Sequence, residues 1–397
     1  MGQGNEDLTQ SSIVEKQKDE TDIKADREGG MKMRVAIIGA GNSGLAMAAH
    51  LSFTENKVYL WNRSEDNISD LIKTKKVETT GVLVGEFQLE LVTTEMEEVL
   101  TNAKVVLVTT PATSHQGLAR IMAPFLTDEH IVILNPGRTF GAVDFKDELF
   151  KSGNFSDVQI LETQTIIYTC RKISQTKVNI IALKRDILIS SFSGVDVDEI
   201  LTRIPDELNK FYKKADSMVE TSIGNVGMIL HCAPMLLNTG WVESDYQFKY
   251  YREGISRTLA SFIEKIDGER QEVAKLLNHP VISAKEWLMH SYNIECESLY
   301  DCIQKNPSYE EIFAPKTLEY RYILEDIPFG LVPLESMGKD LGLPMTNTEI
   351  VINLANALMD RDFREIGRTA EKLNFDYKKL MKGVTVHDIE VETIKRS

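Results

Sequence analysis

The chain has 397 residues, of which 42% are hydrophobic and 26% charged, a balance typical of a globular protein with room for two domains. Its formal net charge is −15 and no concentrated basic patch is present, which argues against a nucleic-acid partner. No apolar run approaches the length of a membrane span and no signal-peptide core opens the chain, so we expect no membrane partner. The four cysteines show neither CxxC nor zinc spacing, which favours a reducing compartment, the cytoplasm, and predicts no metal site.

Residues 1–30 are polar and highly charged, with almost no large apolar side chains. Such a stretch cannot bury enough surface to offset the entropy lost on ordering, so we expect a disordered tail. Folded sequence is expected to begin close to Met33, within a first domain that spans residues 31–195.

The first domain alternates apolar strand-like runs with helical stretches such as Ser43–Ser52. This alternation predicts an α/β fold with a parallel, doubly wound Rossmann sheet. Strands are predicted at Arg34–Ile38, Lys57–Trp61, Val105–Thr109 and Ile131–Leu134, and the runs Asn179–Leu183 and Ile187–Ser190 are expected to extend or edge the sheet.

Residues 196–397 have a different sequence pattern, in which long amphipathic stretches are separated by proline and glycine. This pattern predicts a mostly α-helical second domain. The helical stretches are predicted at 195–212, 222–237, 251–266 and 348–359.

A glycine-rich segment follows the first predicted strand directly and opens a helix. Gly39 permits the tight turn, Gly41 lets the backbone approach a pyrophosphate, and Gly44 allows close packing of helix on strand. With Asn42 and Ser43 between them, these residues place a pyrophosphate at the positive end of the helix. The segment therefore predicts a dinucleotide site.

The second predicted strand ends in Asn62, Arg63 and Ser64, where an NAD enzyme usually has an acidic residue for the ribose hydroxyl. Arg63 is suited to pair with a 2′-phosphate, which favours NADP(H) and leaves NAD(H) open. Thr110 and Pro111 follow another strand at the carboxyl edge of the sheet, where we expect the nicotinamide end of the cofactor.

Two clusters of polar residues stand out in the second domain. His231 lies in an apolar helical run, with Asn238 two turns later on the same face and Asn225 close to that face. A lone histidine of this kind is most often a hydrogen-bonded core residue. Asp326 and Arg321 lie before a proline- and glycine-rich turn, and an aspartate next to His231 would create a general acid/base dyad.

The order of these motifs resembles that of the opine dehydrogenases, the octopine/nopaline dehydrogenase family, from about Met33 to about Asn374. The resemblance implies a Rossmann domain joined to a helical domain, with the active site between them. It also implies NAD(P)H-dependent reductive condensation of an amino acid with a 2-oxo acid. The blocks that carry it are Gly39–Gly44, Pro111–His115, Asn135–Arg138, Glu162–Arg171, Asn225–Gly240 and Arg321–Pro333.

By this resemblance His231 is the general acid/base, Asp326 orients it, and Arg321 holds a substrate carboxylate through its two-pronged guanidinium. Glu162 and Arg171 also match family positions, in a structural or a functional role. The remaining substrate-side residues that it implies are Asn225, Asn238, His115 and Gln116.

Two other functions remain open on the sequence. A dehydrogenase of 2-hydroxy acids or ketopantoate type would act on a C–OH bond with the same architecture. A dinucleotide-sensing protein would keep the cofactor site without turnover, although it would have no need for His231, Asp326 and Arg321 together. The expected partners are small molecules, and a homodimer is one expected assembly.

Overall fold

The computed structural model describes residues 32–191, 196–369 and 371–373. The predicted tail at 1–30 and the last residues of the second domain lie outside these ranges. Within them, no helix is both long and apolar enough to cross a membrane.

Two β-sheets organise the first half of the chain. The main sheet has eight strands in the order β12-β11-β8-β7-β6-β1-β2-β5, all neighbours being parallel except β8 and β11. The fold class predicted from the sequence is confirmed. The strands are β1 (Arg34–Ile38), β2 (Lys57–Trp61), β3 (Lys76–Gly81), β4 (Gly85–Gln88), β5 (Leu91–Thr93), β6 (Val105–Val108), β7 (Ile131–Leu134), β8 (Gln159–Thr163), β9 (Tyr168–Lys172), β10 (Lys177–Leu183), β11 (Ile187–Ser191) and β12 (Tyr212–Lys214).

The central strands are buried on both faces, which explains their continuous apolar sequence. The four residues of β6 and the four of β7 are all buried, and β1 exposes only its first residue, Arg34. Helices cover the two faces of the sheet. The α-helices are α1 (Asn42–Phe53), α2 (Ser69–Thr74), α3 (Met96–Asn102), α4 (His115–Met122), α5 (Gly141–Lys151), α6 (Val197–Leu201), α7 (Asp206–Asn209), α8 (Met218–Ser222), α9 (Gly227–Leu237), α10 (Thr239–Val242), α11 (Arg257–Leu276), α12 (Ala284–Tyr292), α13 (Leu299–Lys305), α14 (Arg321–Leu324), α15 (Val332–Asp340), α16 (Thr346–Met359) and α17 (Phe363–Ile366).

The second sheet, in the order β4-β3-β10-β9, was not predicted. The run Asn179–Leu183 lies in its strand β10 and so does not extend the main sheet as expected. Strand β10 pairs parallel with β3 and antiparallel with β9, and β9 packs against α1. Since the pairing of β10 with β3 joins residues about a hundred positions apart, local periodicity carries no signal of it.

The stretch 195–212 differs from the single amphipathic helix that we expected. Two short helices, α6 and α7, occupy it, because Pro205 lies between them and begins the second. Strand β12 then pairs with β11, so the main sheet continues to Lys214, beyond the boundary expected at residue 195.

The helical domain is built around α9, whose side chains are almost all buried. Helix α9 contacts α11, α14 and α16 and a π-helical turn at Ile327–Leu331. The fully buried Arg270 of α11 donates hydrogen bonds to Asp267 and to the carbonyl oxygens of Ile223 and Ile282, which ties the surrounding loops together. Cys296 lies next to Cys302, with 5.2 Å between their Cα atoms, a proximity that the cysteine spacing gave no reason to expect.

Gly44→Ala tests the packing of α1 on β1. A Cβ at residue 44 would lie 1.8 Å from the Gly39 carbonyl oxygen, whereas one at Gly41 would meet no atom within 4 Å. We expect Gly44→Ala to lower the free energy of unfolding by about 3 kcal/mol, through overpacking against rigid backbone. The control Gly41→Ala should cost less than about 1 kcal/mol. Urea unfolding followed by circular dichroism measures both, and equal losses would contradict this account.

Candidate active site

The glycine-rich loop presents backbone to open space at the carboxyl edge of the main sheet. Gly39 has φ of +110°, and a Cβ there would lie 2.6 Å from Thr110 Cγ2, so only glycine fits this turn. Gly41 is exposed, a Cβ added to it would meet no atom within 4 Å, and the first turn of α1 carries no acidic residue. The loop therefore fits a pyrophosphate at the positive end of the helix.

Strand β9 lies over this loop and binds its side chains. The Asn42 Oδ1 atom accepts a hydrogen bond of 2.8 Å from the Lys172 backbone N–H, and Ser43 is hydrogen-bonded to the Cys170 thiol. Lys172 Nζ donates to the Ala40 carbonyl oxygen at 2.9 Å. Two of the predicted cofactor residues thus use their side chains within the protein, and the lysine is an unpredicted positive charge at the loop.

The residues that follow β2 lie beside the glycine-rich loop, as the sequence predicts. Asn62 Oδ1 accepts from the Ala40 N–H at 3.2 Å, and its Nδ2 donates to the Ser64 carbonyl oxygen at 2.9 Å. Arg63 is exposed, and it has no ion pair among the residues that the structure describes. Asn62 therefore braces the loop, while the guanidinium of Arg63 is available to a ligand.

Thr110 and Pro111 follow β6 at the same edge of the sheet. The Thr110 hydroxyl accepts from the Ser114 hydroxyl at 2.8 Å, and Pro111 is exposed. The next backbone N–H, that of Ala112, donates to Glu325 Oε1 of the helical domain at 3.0 Å. This loop therefore links the cofactor edge of the sheet to the helical domain.

His231 and Asp326 form the predicted dyad, although 95 residues separate them. His231 Nδ1 lies 2.7 Å from Asp326 Oδ2, and the Tyr322 ring stacks on the imidazole with 3.9 Å between centroids. The Asp326 side chain is fully buried, whereas that of His231 is 13% exposed. Since Asp326 occupies Nδ1, Nε2 is the nitrogen that can exchange a proton with a substrate.

Arg138 connects the dyad to a second carboxylate. Its Nη1 lies 3.1 Å from Asp326 Oδ1, while Nε and Nη2 each lie 3.2 Å from an oxygen of Glu325. All three side chains are buried. Burial alone would raise the pKa of Glu325 and Asp326, but the nearby charge of Arg138 holds both pKa values below their ordinary range. Both carboxylates are therefore ionised.

Burial lowers the pKa of His231 below its ordinary value of 6.5. The charge of Asp326 and the hydrogen bond to it oppose this shift, whereas the positive charges of Arg321 and Arg138 add to it. The imidazole is therefore neutral near pH 7, with Nδ1 carrying its proton toward Asp326 and Nε2 able to accept one.

Arg321 and Asn225 lie beside the dyad, as expected. Arg321 begins α14, is exposed, and lies 5.8 Å from the Tyr322 ring; within the described ranges it has no ion pair. Asn225 Oδ1 accepts from the Gly227 N–H at 2.9 Å, while its buried Nδ2 has no hydrogen-bond partner there. A Cβ at Gly227 would lie 3.4 Å from His231 Cε1, so this glycine lets Asn225 and the dyad approach each other.

Three other predicted substrate residues have structural contacts. Asn238 ends α9 and donates to the carbonyl oxygens of Pro234 and Gly254, each at 2.8 Å. His115 is fully buried under its own loop, and burial lowers its pKa to about 4. Gln116 is exposed and donates to Asp144 at 2.8 Å. A contact between these three residues and substrate remains a prediction.

Sequence reasoning missed most of the charges around the dyad. Glu325 directly precedes Asp326, and Arg138 is the last residue of the block Asn135–Arg138. No local sequence pattern, however, predicts an ion pair between Arg138 and the two carboxylates. Glu162, which matched a family position in an undecided role, is buried and accepts hydrogen bonds from Thr221, Ser222 and the Ala142 N–H, a structural arrangement. Among the described residues no group of three or more histidine, cysteine or acidic side chains is placed to hold a metal ion.

Two protein-family models match separate parts of the chain. Residues 34–137 match the N-terminus of NAD-dependent glycerol-3-phosphate dehydrogenase. Residues 214–359 match the α-helical domain of NAD/NADP octopine/nopaline dehydrogenase. The first match covers the loop and strands of the cofactor edge, and the second covers His231, Arg321 and Asp326.

Known proteins resemble the chain over nearly their whole length. Opine dehydrogenase of Arthrobacter sp. (strain 1C) is 33% identical over 339 residues, which are 85% of this chain and 94% of the relative. A structure of octopine dehydrogenase with NADH and agmatine superposes with a TM-score of 0.72 at 18% identity, covering 89% of this chain and 99% of that one. Yersinopine dehydrogenase with NADP+ superposes at 0.67 and 12% identity, with the same coverage. The chain therefore belongs to the opine dehydrogenase family, whose members are NAD(P)-dependent dehydrogenases acting on a CH–NH bond.

Proposed function

We propose that this protein condenses an amino acid with a 2-oxo acid and reduces the resulting imine, with His231 as its general acid/base. The observation that carries this proposal is the pair formed by the partly exposed His231 and the buried Asp326, with Arg321 beside it. Bound at the glycine-rich loop, a nicotinamide cofactor supplies the hydride.

The neutral imidazole suits the first step of such a condensation. An amino acid carries an ammonium group at neutral pH and must lose a proton before its nitrogen can attack the oxo carbon. His231 Nε2 accepts that proton, and Asp326 stabilises the imidazolium that forms. The same proton then goes to the hydroxyl that leaves as water when the imine forms. Arg321 holds a substrate carboxylate through two parallel hydrogen bonds.

Arg138 and Glu325 act as positioning residues. Arg138 fixes the orientation of Asp326, and Glu325 accepts from the Ala112 N–H at the cofactor edge. These bonds set the distance between the two sides of the site, on which the rate of a transfer between two bound partners depends.

The cofactor proposed from the residues is NADP(H). Arg63 offers an unpaired guanidinium at the end of β2, and Asn62 and Ser64 stand where an acidic residue would otherwise repel a 2′-phosphate. Relatives are known with NADH and with NADP+, so the family itself accepts both.

Location and assembly are proposed on separate grounds. The cytoplasm suits an enzyme that needs a renewed supply of reduced nicotinamide and free amino acids.

Exposed Leu237, Trp241 and Ile350 on the helical domain support the proposal of a homodimer. Light scattering on the purified protein measures the mass in solution.

The central experiment follows NADPH and NADH oxidation by absorbance, with purified protein against a matrix of amino acids and 2-oxo acids. Each oxo acid is also tested alone. We expect oxidation only when both substrates are present, because hydride is delivered to a carbon that first becomes bonded to nitrogen. Oxidation with an oxo acid alone would instead establish a C–OH dehydrogenase, and cofactor binding without oxidation would favour a sensor.

His231→Gln should lower kcat by about a hundredfold or more while leaving NADPH affinity unchanged, because it removes the proton acceptor and no cofactor contact. Steady-state kinetics and NADPH fluorescence titration measure the two effects. His279→Gln, in the loop after α11, is the control and should behave as wild type. An unchanged kcat in His231→Gln would remove the dyad from the mechanism.

The pH profile of opine oxidation tests the environment of His231. Burial lowers the pKa of His231 below 6.5, so kcat/KM should fall only as the pH drops below 6.5, where the imidazole becomes protonated. In Asp326→Asn this limb should move to still lower pH, since the neighbouring negative charge that raises the pKa is lost. A limb that shifts upward would contradict the assignment.

Arg63→Ala should weaken NADPH binding by about tenfold or more and change NADH binding much less, because only NADPH has the 2′-phosphate. Arg203→Ala, another exposed arginine, between α6 and α7, serves as the control. Titration of both cofactors against the three proteins gives the ratio. Equal losses for NADPH and NADH would show that Arg63 does not recognise the phosphate.

A further inference from the structure

An aromatic ring lies flat against the imidazole of His231. The centroid of the Tyr322 ring is 3.9 Å from that of the imidazole, and the two ring planes are inclined by only 14°. Asp326, in contrast, contacts the imidazole at its edge, through Nδ1. Tyr322 is 5% exposed, so the stacked ring replaces water over this face of the imidazole.

The position of the Tyr322 ring is fixed by the protein. The rings of Tyr250 and Tyr320 each lie 5.1 Å from it, the first tilted by 49° and the second at a right angle. Tyr250 also holds the other partner of the stack, because its hydroxyl donates to the His231 carbonyl oxygen at 2.5 Å. The Cys232 thiol, on the next residue of α9, donates to the Tyr322 carbonyl oxygen at 3.4 Å. The stack therefore exists before substrate binds.

The charged groups around His231 balance one another while its imidazole is neutral. The negative charges are the carboxylates of Asp326 and Glu325, between α14 and the π-helical turn. The positive charges are the guanidinium groups of Arg138, after β7, and Arg321, at the start of α14. Two charges of each sign leave no excess negative charge to offset a further proton.

The other titratable neighbours of the imidazole carry no charge near pH 7. Burial raises the pKa of the Tyr322 and Tyr250 hydroxyls and of the Cys232 thiol. A proton added to His231 Nε2 thus creates a positive charge whose one direct counter-ion, Asp326, is already paired with an arginine. The Tyr322 ring lies against the imidazole where this charge forms.

We propose that Tyr322 is a positioning residue whose ring face stabilises the imidazolium form of His231. The inference rests on the proposed function, in which Nε2 takes a proton from the ammonium group of the amino acid and later gives it to the departing hydroxyl. A cation is attracted to the negative face of an aromatic ring, and more strongly where water is excluded. The ring exchanges no proton itself, and its face makes this contribution only while His231 is charged.

Loss of the ring changes the pKa of His231 in a direction that depends on what the ring does. If its face stabilises the imidazolium, a variant without the ring has a pKa still further below 6.5 than the wild type. If the ring merely excludes water, its loss lets water solvate the imidazolium, and the pKa rises toward 6.5.

A histidine titration followed by NMR tests the inference without turnover. The chain contains seven histidines, and ¹³C labelling of their rings, with His231→Gln as the reference, identifies the signal of His231. Tyr322→Leu should lower its apparent pKa by about 0.5 to 1. Tyr322→Phe should titrate as wild type does, because phenylalanine presents the same ring face without the hydroxyl.

Tyr309→Leu is the matched control. Tyr309 is buried and stacks on Tyr251 with 4.0 Å between centroids and 12° between planes, a similar stack that does not include the imidazole. It should leave the pKa of His231 unchanged. Tyr322→Met replaces Tyr322→Leu if the latter does not fold. An unchanged or raised pKa in the variant without a ring would overturn the inference, and so would an equal fall in Tyr309→Leu.

Kinetics then connect the stack to proton transfer. In the NADPH oxidation assay, Tyr322→Leu should lower kcat by about five- to tenfold with smaller changes in both KM values, and Tyr322→Phe should restore it. A rise in KM at unchanged kcat would contradict the role. Wild-type turnover judges the proposed function, whereas the titration needs no turnover, so the two failures are distinguishable.

Discussion

The active site depends on one buried ion-pair cluster, in which Arg138 lies between the carboxylates of Glu325 and Asp326. Two adjacent buried carboxylates repel each other, and burial itself disfavours their charge. A guanidinium can satisfy both at once because its planar fork donates in two directions. Removing it would leave uncompensated buried charge, a loss of about 3–5 kcal/mol in comparable buried pairs. The ionised state of Asp326, and through it the orientation of His231, therefore depends on Arg138.

This cluster also joins the two domains at the point where chemistry takes place. Arg138 follows β7 of the main sheet, whereas Glu325 and Asp326 lie between α14 and the π-helical turn of the helical domain. Glu325 makes a further bond to the Ala112 N–H beside β6. The groups that handle protons and the edge that receives the cofactor are thus held by the same few hydrogen bonds.

Positive charge is distributed unevenly around the site. Arg138 is paired with Glu325 and Asp326 within the protein, whereas Arg321 forms no ion pair among the described residues. Lys172 and Arg63 lie at the glycine-rich loop. An overall charge of −15 therefore coexists with locally cationic surfaces, because a few paired or unpaired side chains set the potential within a cleft.

The sequence alone determined those strands and turns that depend only on residues close together in the chain. The bounds of β1 and β2 and the glycine-rich turn were predicted correctly, since an apolar run and a turn residue act on neighbouring positions. Tertiary structure alone decided the second sheet, the addition of β12, and the pairing of Arg138 with Glu325, 187 residues apart. It also decided that Asn238 follows α9 and donates hydrogen bonds to the carbonyl oxygens of Pro234 and Gly254. Such contacts follow from how separate elements pack, and no periodicity of 2 or 3.6 residues records them.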